Sequence, residues 1–134
     1  MTNKEIKYFN MAKAVSYTSD FKRIKIGAVL VINKDLIISS PNLKKSHPLQ
    51  KSLNKERFNK EDTCNHYMHA EMKVILNSKC YDLSKAKLFV YRENKNGNKA
   101  MCRPCKACMK MIKEANIKEV YYTSENGYCK EEIL

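Results

Sequence analysis

The sequence has little of what defines several special classes of protein. It contains no tryptophan, three glycines and three prolines, which excludes collagen-like and low-complexity chains. No apolar run approaches the roughly 20 residues that a membrane-spanning helix needs. The N-terminal stretch MTNKEIKYFNMAKAV is charged and amphipathic, and it lacks the apolar centre of a signal peptide. We therefore expect a cytoplasmic protein without a membrane partner.

Arginine is also scarce, although the chain is strongly basic. The 26 basic residues comprise 22 lysines and 4 arginines, and the formal net charge is +12. Such a charge favours polyanionic partners, but proteins that read nucleic-acid bases prefer the planar guanidinium of arginine. The composition therefore indicates tolerance of phosphate groups more firmly than it indicates nucleic-acid binding.

The overall balance of residues is that of a globular protein. Hydrophobic residues make up 43% and charged residues 30% of the 134 positions. A chain of this length can bury roughly two thirds of its unfolded surface around one core. We expect a single domain over residues 1–134, and we expect it to form a homo-oligomer.

The apolar pattern alternates between helical and strand spacing. Apolar residues near helical spacing predict a surface helix that ends near Tyr17. Two β-branched runs predict a hairpin with strands at 26–32 and 36–38. The order of these and later elements implies a mixed sheet with helices on both faces. The later predicted elements are a helix at 69–77, a strand at 87–91, a helix from near Pro104 to about Ala115, and a strand at 119–123 before a short tail.

Residues 41–63 show no sustained periodicity and predict a long loop, with a short helix over 49–58. The part from 44 to 60 carries six basic residues and one acidic residue. Three roles remain open for this charge: binding the phosphate of a free nucleotide, following a polynucleotide backbone, or solvating a surface segment. The basic residues are Lys44, Lys45, Lys51, Lys55, Arg57 and Lys60.

Two clustered cysteines are the first sign of chemistry. In a reducing compartment the six cysteines are poor candidates for a disulfide framework, which favours metal ligation or catalysis. Cys105 and Cys108 are three positions apart, so on a helix with Pro104 in its first turn their sulfurs share one face. They are then close enough to bind one metal ion. The pair alone is weak evidence, because C-x-x-C also serves redox enzymes.

The segment His69-Ala70-Glu71, at the start of the other predicted helix, adds an imidazole and a carboxylate to the two thiols. One imidazole and two thiolates give three protein ligands, which leave tetrahedral zinc an open fourth position, as in a catalytic site. Zinc lowers the pKa of water there from 15.7 to about 7. His69, Cys105 and Cys108 are thus the candidate ligands of one catalytic zinc ion per chain, and Glu71 is the candidate proton carrier.

These residues resemble the H-x-E … P-C-x-x-C signature of the cytidine and deoxycytidylate deaminase superfamily. Comparable residues also stand at three further places, which are Gly27-Ala28-Val29, Asn42 and Val120-Tyr121-Tyr122. The resemblance implies an α/β fold of three layers, α/β/α, with a central mixed sheet of about five strands. Within the superfamily the chain looks most like the deoxycytidylate deaminase branch, including its virus-encoded members.

The resemblance also implies an activity and a role for each site residue. The enzyme would hydrolytically deaminate a cytosine nucleotide or nucleoside, above all dCMP to dUMP and ammonia. Water activated on zinc would attack the amine-bearing carbon, and Glu71 would protonate the ring nitrogen and then the leaving ammonia. The backbone near Ala70 would hold the base, and Asn42 would contact the sugar. The polar insert from Arg92 to Arg103 is longer than the connection in many relatives.

Alternatives remain for the activity. A deaminase acting on a base within tRNA or single-stranded DNA would have to extrude that base into the site. A zinc-bearing binding protein without catalysis is disfavoured by the intact Glu71, although such a carboxylate can also be a solvated residue at a helix start. Asn42 fits a turn residue nearly as well as a sugar contact.

Alternatives remain for the cysteines too. Cys105 and Cys108 fit a redox pair, and together with Cys102 they fit an iron–sulfur run, but the fourth position of that run is Ile112. Both alternatives leave His69 unexplained. A second, structural zinc site is disfavoured because its ligands lack helical spacing; its members would be Cys64, His66, His47 and Cys102.

Overall fold

The computed structural model describes residues 2–21, 24–46 and 67–133. The helices are α1 (Asn3–Ser16), α2 (Ala70–Leu76) and α3 (Lys106–Glu114). The strands are β1 (Lys25–Asn33), β2 (Leu36–Pro41), β3 (Leu43–Ser46), β4 (Tyr67–Met68), β5 (Lys87–Glu93), β6 (Glu119–Ser124) and β7 (Gly127–Glu132). Within these ranges no helix has the length and apolar character to cross a membrane.

Five strands form a mixed sheet in the order β2-β1-β5-β6-β7. β5 and β6 are parallel, whereas the other neighbours in this sheet are antiparallel. Parallel strands need a crossover connection, and here the crossover contains α3. β3 and β4 pair separately in a two-stranded sheet. The predicted mixed sheet of about five strands is confirmed.

The two faces of the sheet are covered by different helices. Neighbouring residues of a strand point to opposite faces, so Leu30 of β1 packs with α2 and α3 while Val29 packs with α1. On the α1 side, the ring of Phe9 meets Phe89 edge to face with centroids 5.3 Å apart. Phe89 in turn stacks on Tyr121 at 4.4 Å. The predicted three-layer arrangement is therefore confirmed.

Gly27 of β1 lets α1 approach the sheet closely. A Cβ atom at this position would lie 2.1 Å from the carbonyl oxygen of Ala12 and 2.6 Å from the backbone nitrogen of Ser16. Both neighbours are backbone atoms, so no side-chain rotation relieves the contact. Glycine is required here by the distance between helix and strand.

Two of the differences between the predicted and the observed elements lie in the C-terminal third of the chain. The expected tail is instead the edge strand β7, whose residues are all half-buried or exposed and therefore give no apolar run. A two-residue turn enclosed by the pair Ser124 and Gly127 leads into it, and Gly127 has a φ of 127°. Helix α3 begins at Lys106, two residues after Pro104, because Cys105 still has extended backbone angles.

The predicted long loop at 41–63 is only partly within the described residues. Positions 43–46 form β3 and pair with β4, so the prediction of a loop is wrong there. The short helix expected over 49–58 and most of the basic segment lie outside the described residues.

Candidate metal centre and catalytic cavity

The starts of α2 and α3 bring the signature residues together. His69 is the N-cap residue of α2 and Cys105 is the N-cap residue of α3, both with extended backbone angles. Cys108 lies in the first turn of α3 and is 1% exposed. Both helices pack on the same face of the sheet. His69 therefore becomes a neighbour of Cys105 and Cys108, which lie 36 and 39 positions later in the chain.

The three side chains converge on a volume that fits a metal ion. Nδ1 of His69 lies 3.2 Å from Sγ of Cys108 and 3.6 Å from Sγ of Cys105. All three potential ligand atoms lie within 4.8 Å of one another. Tetrahedral bonds of about 2.0 Å to nitrogen and about 2.3 Å to sulfur would place such atoms about 3.5–3.8 Å apart. One nitrogen and two sulfurs at these distances fit zinc, with Nδ1 as the nitrogen ligand.

The two thiols and the imidazole differ in acidity. The hydrogen bond from Cys108 and the neighbouring His69 overcome burial and lower the pKa of Cys105 to about 4. The hydrogen bond to Cys105 and burial raise the pKa of Cys108 well above its usual range. Burial lowers the pKa of His69, but the hydrogen bond to Cys105 and the charge of Glu71 outweigh it, so the net change is upward. Cys105 therefore presents a thiolate, the form that binds metals.

Glu71 is a buried carboxyl group beside this cluster. It lies in the first turn of α2 and is 5% exposed. Burial raises the pKa of Glu71, against the opposing charge of His69, because a low-dielectric environment disfavours the charged form. Glu71, His69 and Cys105 line the same cavity. A carboxyl group in this position is suited to exchanging protons with a bound molecule.

The cavity has a volume of about 160 Å³. This is smaller than the roughly 300 Å³ at the lower end of common small-molecule sites. It therefore has room for the reacting part of a substrate, while the rest of a larger molecule would extend outside. Besides Glu71, His69 and Cys105, the lining residues are Ile26, Asn42, Arg92, Met101, Cys102 and Arg103.

Asn42 lines the cavity but also has a structural role. It is 1% exposed, and its Oδ1 accepts hydrogen bonds from the backbone of Ile26 at 3.0 Å and from the hydroxyl of Ser19 at 2.6 Å. Its Nδ2 donates to the carbonyl oxygen of Ile24 at 3.0 Å. The side-chain amide carries two N–H groups, and Ile24 engages one of them. Asn42 therefore has a structural role, and the second N–H group of its amide could in addition donate to a substrate.

Ala70 is the first residue of α2 and is fully buried. The first N–H groups of a helix have no partner within that helix. The backbone of Ala70 therefore presents a donor next to the signature histidine.

Two arginines at the cavity were not singled out as site residues by the sequence. Arg92 and Arg103 both line it. The one signal that could have found them is composition, since they are two of only four arginines in a chain with 22 lysines. Arg103 forms a bidentate ion pair with Glu131 of β7, at 2.8 and 2.7 Å.

Cys102 lines the cavity without joining the metal cluster. Its Sγ lies 3.3 Å from the carbonyl oxygen of Val90 and 3.1 Å from Oγ1 of Thr123. Burial raises its pKa to about 12, so the thiol stays protonated. These contacts disfavour the iron–sulfur alternative. The other members of the second zinc site considered above, at positions 47, 64 and 66, lie outside the described residues.

Sequence comparison identifies one family over most of the chain. The model of the cytidine and deoxycytidylate deaminase zinc-binding region matches residues 2–124. Among curated proteins, none gives a significant match.

Solved structures of the same kind of enzyme have similar folds. A cytidine deaminase from Burkholderia pseudomallei is 18% identical, covers 98% of this chain and 93% of its own, and superposes with a TM-score of 0.68. At that identity the similarity concerns the fold alone. A dCMP deaminase from the cyanophage S-TIM5, in complex with dCMP and dUMP, is 25% identical over 91% of this chain and 82% of its own, with a TM-score of 0.60.

Proposed function

The chain belongs to the cytidine and deoxycytidylate deaminase family, and from that membership we propose that it converts dCMP to dUMP and ammonia. Deamination of a cytosine nucleotide or nucleoside with zinc is the activity of the family. The step to dCMP is supported by the cyanophage dCMP deaminase, which is 25% identical. The observation that carries the proposal is the nitrogen and two-sulfur cluster, with a buried carboxyl group beside it in one cavity.

We assign the metal to His69 Nδ1, Cys105 Sγ and Cys108 Sγ. Three protein ligands leave a tetrahedral ion one open position. When bound there, zinc supplies Lewis acidity that lowers the pKa of water to about 7. The N-cap positions of His69 and Cys105 place both ligands at helix starts, where the partial positive charge favours an anionic thiolate.

Glu71 moves the protons of the reaction. In the overall change one water adds at the amine-bearing carbon of cytosine, the carbon–nitrogen bond breaks, and ammonia leaves with a carbonyl group in its place. The carboxylate of Glu71 takes a proton from the attacking water and gives it to the adjacent ring nitrogen. It then takes the proton of the new hydroxyl group and gives it to the departing amino group, so that the two protons of the water end on the ring nitrogen and on ammonia. The burial of Glu71 keeps bulk water away from these transfers.

Ala70 and Asn42 orient the substrate. The backbone N–H of Ala70 is a donor for the base, and the second N–H of the Asn42 amide is a donor for a sugar hydroxyl. Both groups belong to rigid parts of the fold, since Ala70 begins α2 and Asn42 is hydrogen-bonded to three neighbouring residues.

A substrate series tests the proposal. Ammonia release is measured for cytidine, deoxycytidine, their monophosphates, guanine and single-stranded oligonucleotides. We expect dCMP to have the highest kcat/KM and guanine to be inert. Preferential deamination of the oligonucleotides would replace dCMP by a polynucleotide substrate, and the absence of ammonia release from every cytosine compound would contradict the proposed function.

A further inference from the structure

Arg92 lies on the border between the catalytic cavity and a larger surface groove. It lines the cavity that contains Glu71 and His69. It also lines a neighbouring groove of about 740 Å³, whose other walls come from Asn94, from residues 98–101 and from residues 125–127. Met101 is likewise shared by both. The two spaces therefore adjoin each other at this arginine.

The charge of Arg92 is only partly satisfied by the described residues. Its Nε is buried and has no hydrogen-bond partner among the described residues, while its Nη1 donates to the carbonyl oxygen of Met101 at 3.3 Å. No carboxylate in the described part of the chain forms an ion pair with it. The adjacent Glu93 accepts hydrogen bonds from Tyr17 and Tyr91 instead. Because a buried, unpaired donor on a cation is costly, an anion is the fitting complement.

The sizes of the two spaces indicate which anion this is. At about 160 Å³ the cavity holds a base but little more. A nucleotide whose cytosine enters it must leave its phosphate outside, and Arg92 lines both the cavity and the adjoining groove. The planar guanidinium matches phosphate oxygens with two parallel hydrogen bonds. Lys99 and Glu125 line the same groove and contribute opposite charges, so Arg92 gives the groove its net positive charge.

We propose that Arg92 binds the 5′-phosphate of the substrate and so makes the enzyme selective for the monophosphate over the nucleoside. The inference rests on the proposed function, because it takes the cytosine ring to occupy the cavity. The polar insert from Arg92 to Arg103 thereby also has a role, because its residues Asn94 and 98–101 line the groove. Arg92 is then the phosphate ligand, whereas the sequence alone pointed only to the basic segment at 44–60 for this role.

The test compares Arg92→Met and Arg92→Lys with Lys95→Met, a control at an exposed position of the same insert. KM and kcat are measured for dCMP and for deoxycytidine. Binding of the products dUMP and deoxyuridine is measured by calorimetry, which needs no turnover. For Arg92→Met we expect KM for dCMP and Kd for dUMP to rise roughly 10–100-fold, as for a lost hydrogen-bonded ion pair. The nucleoside values should change less than about threefold.

The other variants sharpen the result. Arg92→Lys keeps the positive charge but lacks the planar guanidinium, so it should bind dUMP more tightly than Arg92→Met and less tightly than the native protein. Lys95→Met should behave like the native protein. Thermal unfolding of each variant shows that the fold is intact, and Arg92→Lys remains informative if Arg92→Met unfolds.

Three outcomes would overturn the proposal. An equal loss for nucleotide and nucleoside would mean that Arg92 contacts the base or only positions the segment at Met101. Unchanged dUMP binding in Arg92→Met, with a loss in Lys44→Met/Lys45→Met or Lys51→Met/Lys55→Met, would assign the phosphate to the basic segment. A native protein that neither deaminates dCMP nor binds dUMP would contradict the proposed function itself, which the Arg92 variants alone cannot do.

Discussion

At the scale of single residues, the proposed function assigns metal binding and proton transfer to different side chains. His69, Cys105 and Cys108 contact one another, whereas Glu71 lies beside them in the cavity wall. A substitution can therefore remove one task and leave the other.

Glu71→Gln removes the proposed proton carrier while keeping the size of the side chain. Because Glu71 is not a member of the ligand cluster, the variant should fold and retain zinc. Its kcat should fall by roughly 10²–10⁴-fold or more, because general acid–base catalysis usually contributes a factor of this size. Zinc content by elemental analysis and steady-state ammonia release check both parts. Turnover within a few-fold of the native rate would remove Glu71 from the mechanism.

Cys105→Ser and Cys108→Ser should lose the metal. The native protein should carry about one zinc ion per chain, because three ligands plus water complete one tetrahedral site. Each serine variant should bind far less zinc and should melt at a lower temperature, since metal binding contributes to folding free energy. Cys80→Ser is the control, because Cys80 is exposed and outside the cluster. Full zinc occupancy in either ligand variant would refute the assignment.

The residues of the metal cluster could be predicted from sequence, whereas Arg92 could not. The cluster residues sit at fixed spacings around two helix starts, so local geometry brings Cys105 and Cys108 together. Arg92 reaches the cavity because the insert folds back on β5, with the N–H of Ala100 donating to the carbonyl oxygen of Arg92 at 2.9 Å. No local sequence pattern predicts that the insert folds back on β5.

At the scale of elements, Gly27 controls how closely α1 packs on β1. Gly27→Ala would place a methyl group against the backbone of Ala12 and Ser16. The helix would have to move outward, and overpacking of this kind costs about 1–3 kcal/mol of unfolding free energy. Urea denaturation measures the change. Gly97→Asn is the control, because no described atom lies within 4 Å of a Cβ at Gly97 and asparagine tolerates its φ of 83°. Equal stability of Gly27→Ala and the native protein would contradict the close contact.

Glu93 joins the end of β5 to the end of α1. Tyr17 donates to its carboxylate at 2.6 Å, Tyr91 donates at 2.8 Å, and Nζ of Lys13 lies 3.9 Å away. Burial raises the pKa of Glu93, but these three groups outweigh burial and lower it. The same contact raises the pKa of Tyr17 to about 12.

The lowered pKa of Glu93 predicts how stability depends on pH. A carboxyl group whose pKa is lower in the folded protein stabilises it above the unfolded pKa of about 4.3 and ceases to do so as the pH falls through the folded value. Glu93→Gln should therefore cost about 1 kcal/mol at pH 7, and progressively less as the pH falls below the unfolded pKa towards pH 3. Urea unfolding of both proteins at the two pH values checks this. A difference independent of pH would contradict the role of the charge.

The elements that could be predicted from sequence are those with a regular apolar period. α1, the β1–β2 hairpin, β5 and β6 all bury one or both faces, which is why their residues show the period. β7 escaped prediction because an edge strand needs no apolar run. The start of α3 differed because Cys105 serves as N-cap residue, with its ψ of 170° outside the helical range.

At the scale of the whole molecule, the metal cluster ties α2 to α3 on one face of the sheet. A ligand that binds only the folded state raises stability according to its concentration and affinity. A strong chelator should therefore lower the melting temperature of the native protein by several degrees. It should have no such effect on Cys108→Ser, which lacks the metal already. Equal melting temperatures of the native protein with and without chelator would show that the cluster carries no stabilising metal. The homo-oligomer expected from the sequence stays a prediction.

The central place of β5 also has a kinetic consequence. β5 pairs on one side with β1, far earlier in the chain, and on the other with β6, beyond the α3 crossover. Such non-local pairings make folding slow, because loop-closure entropy is lost before the contacts form. The ligand cluster assembles only once α2 and α3 have docked beside each other on the sheet, so we expect its metal bonds to form late in folding. Zinc should then lower the unfolding rate and so lengthen the lifetime of the folded protein, while the refolding rate stays nearly unchanged.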